Sequence, residues 1–415
     1  MGRRGLPSTT VMRLYDTARR DIVPFEPSDV VTLYTCGITP YDATHVGHAA
    51  VYLTYDVLQR RLRDMGHETR CVRNVTDVDD DLLRKARELD VHYLDLAARE
   101  TARFDDDMKA LGLLPSWSEP RATSAIADIR GFIGMVLDNG HAYQAGGAVY
   151  FDVNSWPRFG ELSGYDQATM LELARQRGGN PDDPNKRDPL DFVLWQPSLE
   201  GEPAWESLWG PGRPGWHIEC SALVLRELET TVDIHGGGGD LIFPHHECEL
   251  AQSEAATGKP FARHWMHQSM VFMDGEKMSK SLGNLVFIGD LRTTYDPRII
   301  RLGIVANHYR TEWSWTSELM PDAEARLGKW LIAAEAETSN LSASQPSDSP
   351  DFDLVRRVRA ALDNDLNTPG AVEAIDSAAA SGEPGVSYAA GLLGVDLRAG
   401  QPTLNIPSYE PRQAK

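Results

Sequence analysis

Apolar positions crowd together over residues 30–37, VVTLYTCG, and the run closes on a glycine. A short continuous apolar run ended by a turn residue predicts a buried strand. Over 49–65 the spacing changes. Val51, Tyr55, Leu58 and Leu62 recur every three or four residues, which puts them on one face of a helix. A second strand follows in ETRCVRNV and runs into the acidic turn TDVDDD. Strand, turn, helix, strand is the order of a doubly wound α/β unit. Such folds take ligands at the carboxyl ends of their strands, and Cys36 and Thr76 both fall at predicted strand ends.

Further on, 82–111 and 121–139 read as two helices joined by a turn containing proline and tryptophan. Residues 148–165 carry short strands, and QRGGNPDDPNKRDP, 176–189, is a loop by composition. The α/β pattern resumes in TVDIHGGGGDLIFPHHECELAQSEAA as a short strand, a glycine loop, Pro244, and a helix that starts near two histidines. This predicts one doubly wound domain in two halves, 1–115 and 201–296, split by an inserted region at 116–200. A helical junction at 297–338 and a small helical region at 339–400 follow, with an Ala/Ser/Pro-rich break at 338–350 and a flexible tail at 401–415.

Charge narrows the function classes. With 41 basic and 61 acidic residues the formal net is −20, which argues against broad, sequence-independent nucleic-acid binding. No apolar run approaches the roughly 20 residues of a membrane helix. No apolar block follows the two N-terminal arginines, so a cytoplasmic protein is expected. Four cysteines in 415 residues do not make a disulfide framework, which turns attention to metal binding.

Four constellations carry chemistry. Cys36, Cys220 and His245 lie far apart in sequence, and Glu249 shares a helical face with His245. Two thiolates, an imidazole and a carboxylate form a tetrahedral donor set, although a cysteine in a strand is more often a small buried hydrophobe. Cys248 and His246 read equally as ligands or as packing groups, and Cys71 reads as core. HVGH, His45 to His48, precedes the first long helix. A helix N-terminus there favours an anion, and Gly47 lets a ligand approach the backbone. GEKMSKSLGN, 275–284, sets two lysines among serines and glycines, a mobile cationic loop suited to a triphosphate. In HGGGGDLIFPHH, Gly236 to Gly239 leave backbone open to a flat ligand, and Asp240 is placed to accept from ribose hydroxyls.

Together these pieces resemble one family. His45-Val46-Gly47-His48 resembles the histidine signature of class I aminoacyl-tRNA synthetases, and Lys277-Met278-Ser279-Lys280-Ser281 resembles their second signature. YTCGITPYDATHVGHA, NVTDVDDD, GWHIECSA and WMHQSMVFMDGEKMSKSLGN narrow the resemblance to the cysteinyl branch, from about residue 12 to 320. It implies a Rossmann-like catalytic core and one Zn2+ held by Cys36, Cys220 and His245, with Glu249 as a candidate fourth ligand. It also implies an L-cysteine pocket lined by Thr39, Thr76 and Trp216. ATP, with Mg2+, would lie along Gly47 and Gly238 with its ribose toward Asp240. His45, His48, Lys277 and Lys280 would meet the phosphates.

The branch holds two types. One charges tRNA, and the other joins cysteine to the amine of glucosaminyl-inositol in mycothiol biosynthesis. TCGITPYDATHVGHA and GPGRPGWHIEC resemble the second type, whereas Glu249 and ELAQSEAATGK resemble the first. Residues 321–415 carry 8 basic and 14 acidic side chains, a net of −6, a poor match to an anticodon-reading domain. The expectation is an AMP-forming cysteine ligase, a monomer, acting on a small aminoglycoside. Another small amine and tRNA are the alternative acceptors. Intact signatures argue against an inactive relative or a zinc or nucleotide sensor.

Overall fold

Val30–Ile38 (β1), Val46–Asp64 (α1) and Glu68–Val75 (β2) form the strand–helix–strand unit that the apolar pattern predicts. In the computed structural model, which describes residues 11–273, 275–278, 283–340 and 352–398, the second half of the core adds four elements. These are Trp216–Leu228 (α2), Val232–Gly238 (β3), Glu247–Thr257 (α3) and Ala262–Gln268 (β4). The four strands make one parallel sheet in the order β4-β3-β1-β2. Helices cover both faces of such a sheet, so its strands are apolar throughout rather than alternating. The chain steps outward from β1 to β2 and then returns to the other side of β1 with β3. The strand order therefore reverses between β1 and β3, and the crevice at their carboxyl ends is where a ligand belongs.

Local readings needed correction at three places. The helix expected over 82–111 is two, Asp80–Leu89 and Tyr93–Ala110, broken where Asp90 takes a left-handed conformation at φ 52°. Aspartate tolerates that region without glycine, so no glycine or proline marked the break. Within 148–165 only Ala148–Phe151 is a strand; a 3-10 turn at Val153–Ser155 and further turns follow. The glycine run is not a loop, because Gly236 to Gly238 belong to β3. A Cβ on Gly236 would lie 2.0 Å from the Tyr55 hydroxyl and 2.4 Å from the Met266 carbonyl. Close approach of α1 and β4, rather than turn geometry, requires glycine there.

Between the two halves lies a separate antiparallel sheet of Ala142–Ala145, Ala148–Phe151, Phe192–Gln196 and Arg213–Pro214, its last strand past residue 200. After β4 the chain is mainly helical: Pro297–Val305 (α4), Leu319–Asn340 (α5), Asp353–Asp363 (α6), Thr368–Ser381 (α7) and Val386–Leu392 (α8). The break expected at 338–350 falls largely, and the tail at 401–415 wholly, outside the described residues. Among the described residues no helix is long and apolar enough to cross a membrane.

The C-terminal helices grip α1 through buried charge. Arg61 donates twice to Asp363, at 2.8 Å each, and once to Asp64 at 2.6 Å. Asp64 also accepts from Arg359 and from the Tyr388 hydroxyl. One turn earlier, Asp56 pairs with Arg60 at 2.7 Å and with Arg301. Burial works to raise the Asp56 pKa, but Arg60 and Arg301 outweigh it and hold the carboxyl at about 2. Arg61 and Asp363 are each 3 % exposed, so removing Asp363 leaves two buried guanidinium donors, Nε and Nη2, without it while Nη1 keeps Asp64. Asp363→Ala should cost about 3 kcal/mol of unfolding free energy, read from chemical denaturation. A loss too small to detect would show that the pair does not hold α6 to α1.

Candidate active site and metal cluster

β1 ends by delivering Cys36, α2 contributes Cys220 a turn after its start, and the kink before α3 turns His245 inward above Glu249. One ligand atom from each of the four lies within 4.8 Å of the others, and all four side chains are buried. Two sulfurs bound at ~2.3 Å around a tetrahedral metal sit about 3.8 Å apart. Cys36 Sγ and Cys220 Sγ are 3.9 Å apart. Cys36 Sγ is 3.8 Å from both Glu249 oxygens, and His245 Nε2 is 3.6 Å from Glu249 Oε1. Donor chemistry and spacing both fit a metal ion.

Four further histidines surround this centre. His235 Nε2 is 2.9 Å from Glu249 Oε2, so the carboxylate spans from its own cluster to β3. His246 Nε2 is 3.3 Å from Cys36 Sγ, while its Nδ1 shares a 2.7 Å hydrogen bond with His267. His267 in turn meets Thr17 Oγ1 at 2.7 Å. His217 and His245 share a 2.9 Å hydrogen bond between their Nδ1 atoms. Cys36, His235, His246 and Glu249 make a second, overlapping set of donors. Burial pushes His217, His245 and His267 down to about 3 and His246 well below the usual range. Neutral rings keep the lone pair that a metal needs. Burial pushes the Cys36 and Cys220 thiols up, an effect that a bound cation inverts.

The histidine signature sits at the N-terminus of α1, against the chain that follows the second signature. The His45 and His48 rings stack with centroids 3.8 Å apart at 23°. His45 bridges Phe287, the Val46 N–H donates to the Val286 carbonyl at 2.9 Å, and the Ile288 N–H donates to the Thr44 carbonyl at 2.9 Å. The chain leaving the lysine-bearing segment is thus hydrogen-bonded to the histidine turn. A Cβ on Gly47 would lie 2.9 Å from the His45 ring, so glycine lets that ring fold over the helix end. The His45 side chain makes no capping bond to α1, and the first turn of the helix has no acid, the kind of helix end that favours an anion. Lys277 lies on a two-residue strand paired with Val271–Met273. Ser279, Lys280 and Ser281 fall outside the described residues.

The remaining expected residues ring the crevice. Trp216 stacks on His245 with centroids 4.1 Å apart. Thr76 Oγ1 accepts from Asn74 Nδ2 at 3.1 Å, and Asn74 Oδ1 accepts from the Gly37 N–H at 2.8 Å, which joins the ends of β1 and β2. Thr39 follows β1 and is half-buried; none of the contacts among the described residues joins its side chain to the cluster. Asp240 is exposed, and a Cβ on Gly238 would lie 2.5 Å from its Oδ1.

Residues 22–325 match the family of tRNA synthetases class I (C), catalytic domain. The chain belongs to this family. It is 46 % identical over 401 residues to the L-cysteine:1D-myo-inositol 2-amino-2-deoxy-alpha-D-glucopyranoside ligase of Thermobispora bispora, covering 95 % of this chain and 96 % of that one. To the ligase of the same name from Actinosynnema mirum it is 50 % identical over 380 residues, with 90 % of each chain covered. Among solved structures, Mycobacterium tuberculosis methionyl-tRNA synthetase in complex with methionyl-adenylate superposes with a TM-score of 0.63 at 18 % identity. That match covers 85 % of this chain and 82 % of the other and speaks for the fold.

For this class I synthetase-family chain, sequence reading passed over His217, His235 and His267, which sit one residue from a candidate pocket residue or inside strands. It also passed over Arg177, whose guanidinium donates to the Asp240 and Phe243 carbonyls and ties the 176–189 loop to the glycine turn. Cys71 is buried in the core, as expected, and Cys248 is buried in the core outside both donor sets. Gly236→Ala tests how tightly β3 seats the site. It should destabilise the protein by about 1–3 kcal/mol, seen as a lower thermal midpoint; an unchanged midpoint would contradict the close approach of Tyr55.

Proposed function

We propose that the chain is an ATP-dependent, AMP-forming ligase that activates L-cysteine and transfers it to the amine of 1D-myo-inositol 2-amino-2-deoxy-α-D-glucopyranoside. The observation that carries this reading is identity of 46 % and 50 % along nearly whole chains to ligases named for that reaction. The Cys36–Cys220–His245 cluster at the switch point supports it chemically. A zinc ion held by Cys36, Cys220 and His245 would offer a soft site for the substrate thiolate, a basis for choosing cysteine over serine that size alone does not provide.

In this reading Thr39, Thr76 and Trp216 bound the cysteine pocket, and ATP lies along Gly47 and Gly238 with its ribose toward Asp240. The cysteine carboxylate attacks the α-phosphorus in line, and pyrophosphate leaves. His45, His48, the N-terminal dipole of α1, Lys277 and Lys280 neutralise the phosphate charge, with Mg2+ accompanying the nucleotide; positioning and charge balance are the main work in phosphoryl chemistry. The acceptor amine then attacks the activated carbonyl carbon, an amide forms, and AMP leaves. Glu249, turned into the cluster, is the feature that favours a tRNA acceptor instead.

Two measurements test the reading. Metal analysis should find about one zinc per chain in the natural protein and little in Cys220→Ala, with cysteine-dependent exchange of pyrophosphate into ATP lost; full retention of both would refute the site. With cysteine and ATP supplied, AMP release should be stimulated by the aminoglycoside and not by tRNA, and mass analysis should show an amide. Cysteine esterified to tRNA would overturn the acceptor assignment.

A further inference from the structure

Glu219 is a carboxyl group on α2, outside both donor sets of the metal cluster. It lies on α2 three residues after Trp216 and directly before Cys220, so all three project from one side of the helix. Its side chain is completely buried, and neither carboxylate oxygen has a hydrogen-bond partner among the described residues. Arg213, the cation nearest to it in charge effect, is already paired with Asp80 and with Glu202. A buried carboxyl that satisfies neither oxygen is costly to fold around. It is retained where a ligand completes it.

We propose that Glu219 receives the α-ammonium group of the bound amino acid. The inference rests on the cysteine pocket proposed above. Thiol and ammonium sit on neighbouring carbons of cysteine, so a thiol held beside Cys220 brings its ammonium within reach of the adjoining residue. Thr76, an expected pocket residue, is close enough to act on the Glu219 carboxyl. A carboxylate partner keeps this nitrogen protonated, which prevents it from attacking another activated carbonyl. The acceptor needs the opposite treatment, since it must attack as a free amine.

The test is pyrophosphate–ATP exchange without any acceptor, comparing L-cysteine with 3-mercaptopropionate, which keeps the thiol and carboxylate and lacks the ammonium. The natural protein should prefer cysteine in kcat/KM by about 100-fold, the scale of a charge-assisted bond. Glu219→Gln should lower kcat/KM for cysteine by a similar factor, mostly through KM, and leave 3-mercaptopropionate nearly unchanged. Glu219→Asp, which keeps the charge, should recover part of the preference and serves if the glutamine variant does not fold. Equal losses for both substrates would make Glu219 merely structural and overturn the proposal, as would unaltered cysteine exchange with a defect only in transfer. Failure of the pocket reading itself would show differently, as cysteine exchange that survives Cys220→Ala.

Discussion

Two thiols and a carboxylate converge inside the protein, all three of them buried. Everything near the crevice answers to that arrangement. Such a group of acids is stable only if its members stay protonated or a cation joins them. The elements that deliver it are fixed at their other ends: β1 and β2 are tied through Asn74, β3 through its tight approach to Tyr55, and α3 through the bonds of Glu247 to the Gly160 and Ser163 N–H groups. The His217, His246 and His267 rings are kept neutral by burial, and the last two extend the network outward to Thr17. The centre is therefore assembled by the whole sheet rather than by one motif.

Much of this was legible because it is local. The strand–helix–strand unit showed in the shift from a continuous apolar run to helical spacing, and Cys36 at a strand end followed from it. His45, Gly47 and His48 declared themselves as a cluster at a helix start. Long-range partnership was not legible. His235 lies between Ile234 and Gly236 in a strand and carries no spacing signal toward Glu249; only the pairing of β3 with β1 brings it to Cys36. The glycines of β3 looked like a turn because glycine is depleted in strands, and the neighbour that demands them, Tyr55, lies on another element. Asp90 broke a helix whose spacing ran on unbroken.

The same distinction applies to the acceptor. Motifs at the switch point bear on activation of an amino acid, and Cys36, Cys220, His245 and the Trp216 ring stacked on it gather there. Whole-chain similarity to named ligases, rather than any one residue, separates the two outcomes.

Helix α1, 19 residues long, measures about 29 Å. One end carries the histidine turn and the other is clasped by Asp363, Arg359 and Tyr388. It acts as a strut between the histidine turn and the C-terminal helices. A lesion in those helices that slackens the clasp reaches the histidine turn, a helix length away. Loss of turnover on altering the C-terminal region is therefore no sign that it handles the acceptor, because the nucleotide site proposed above hangs from the same strut.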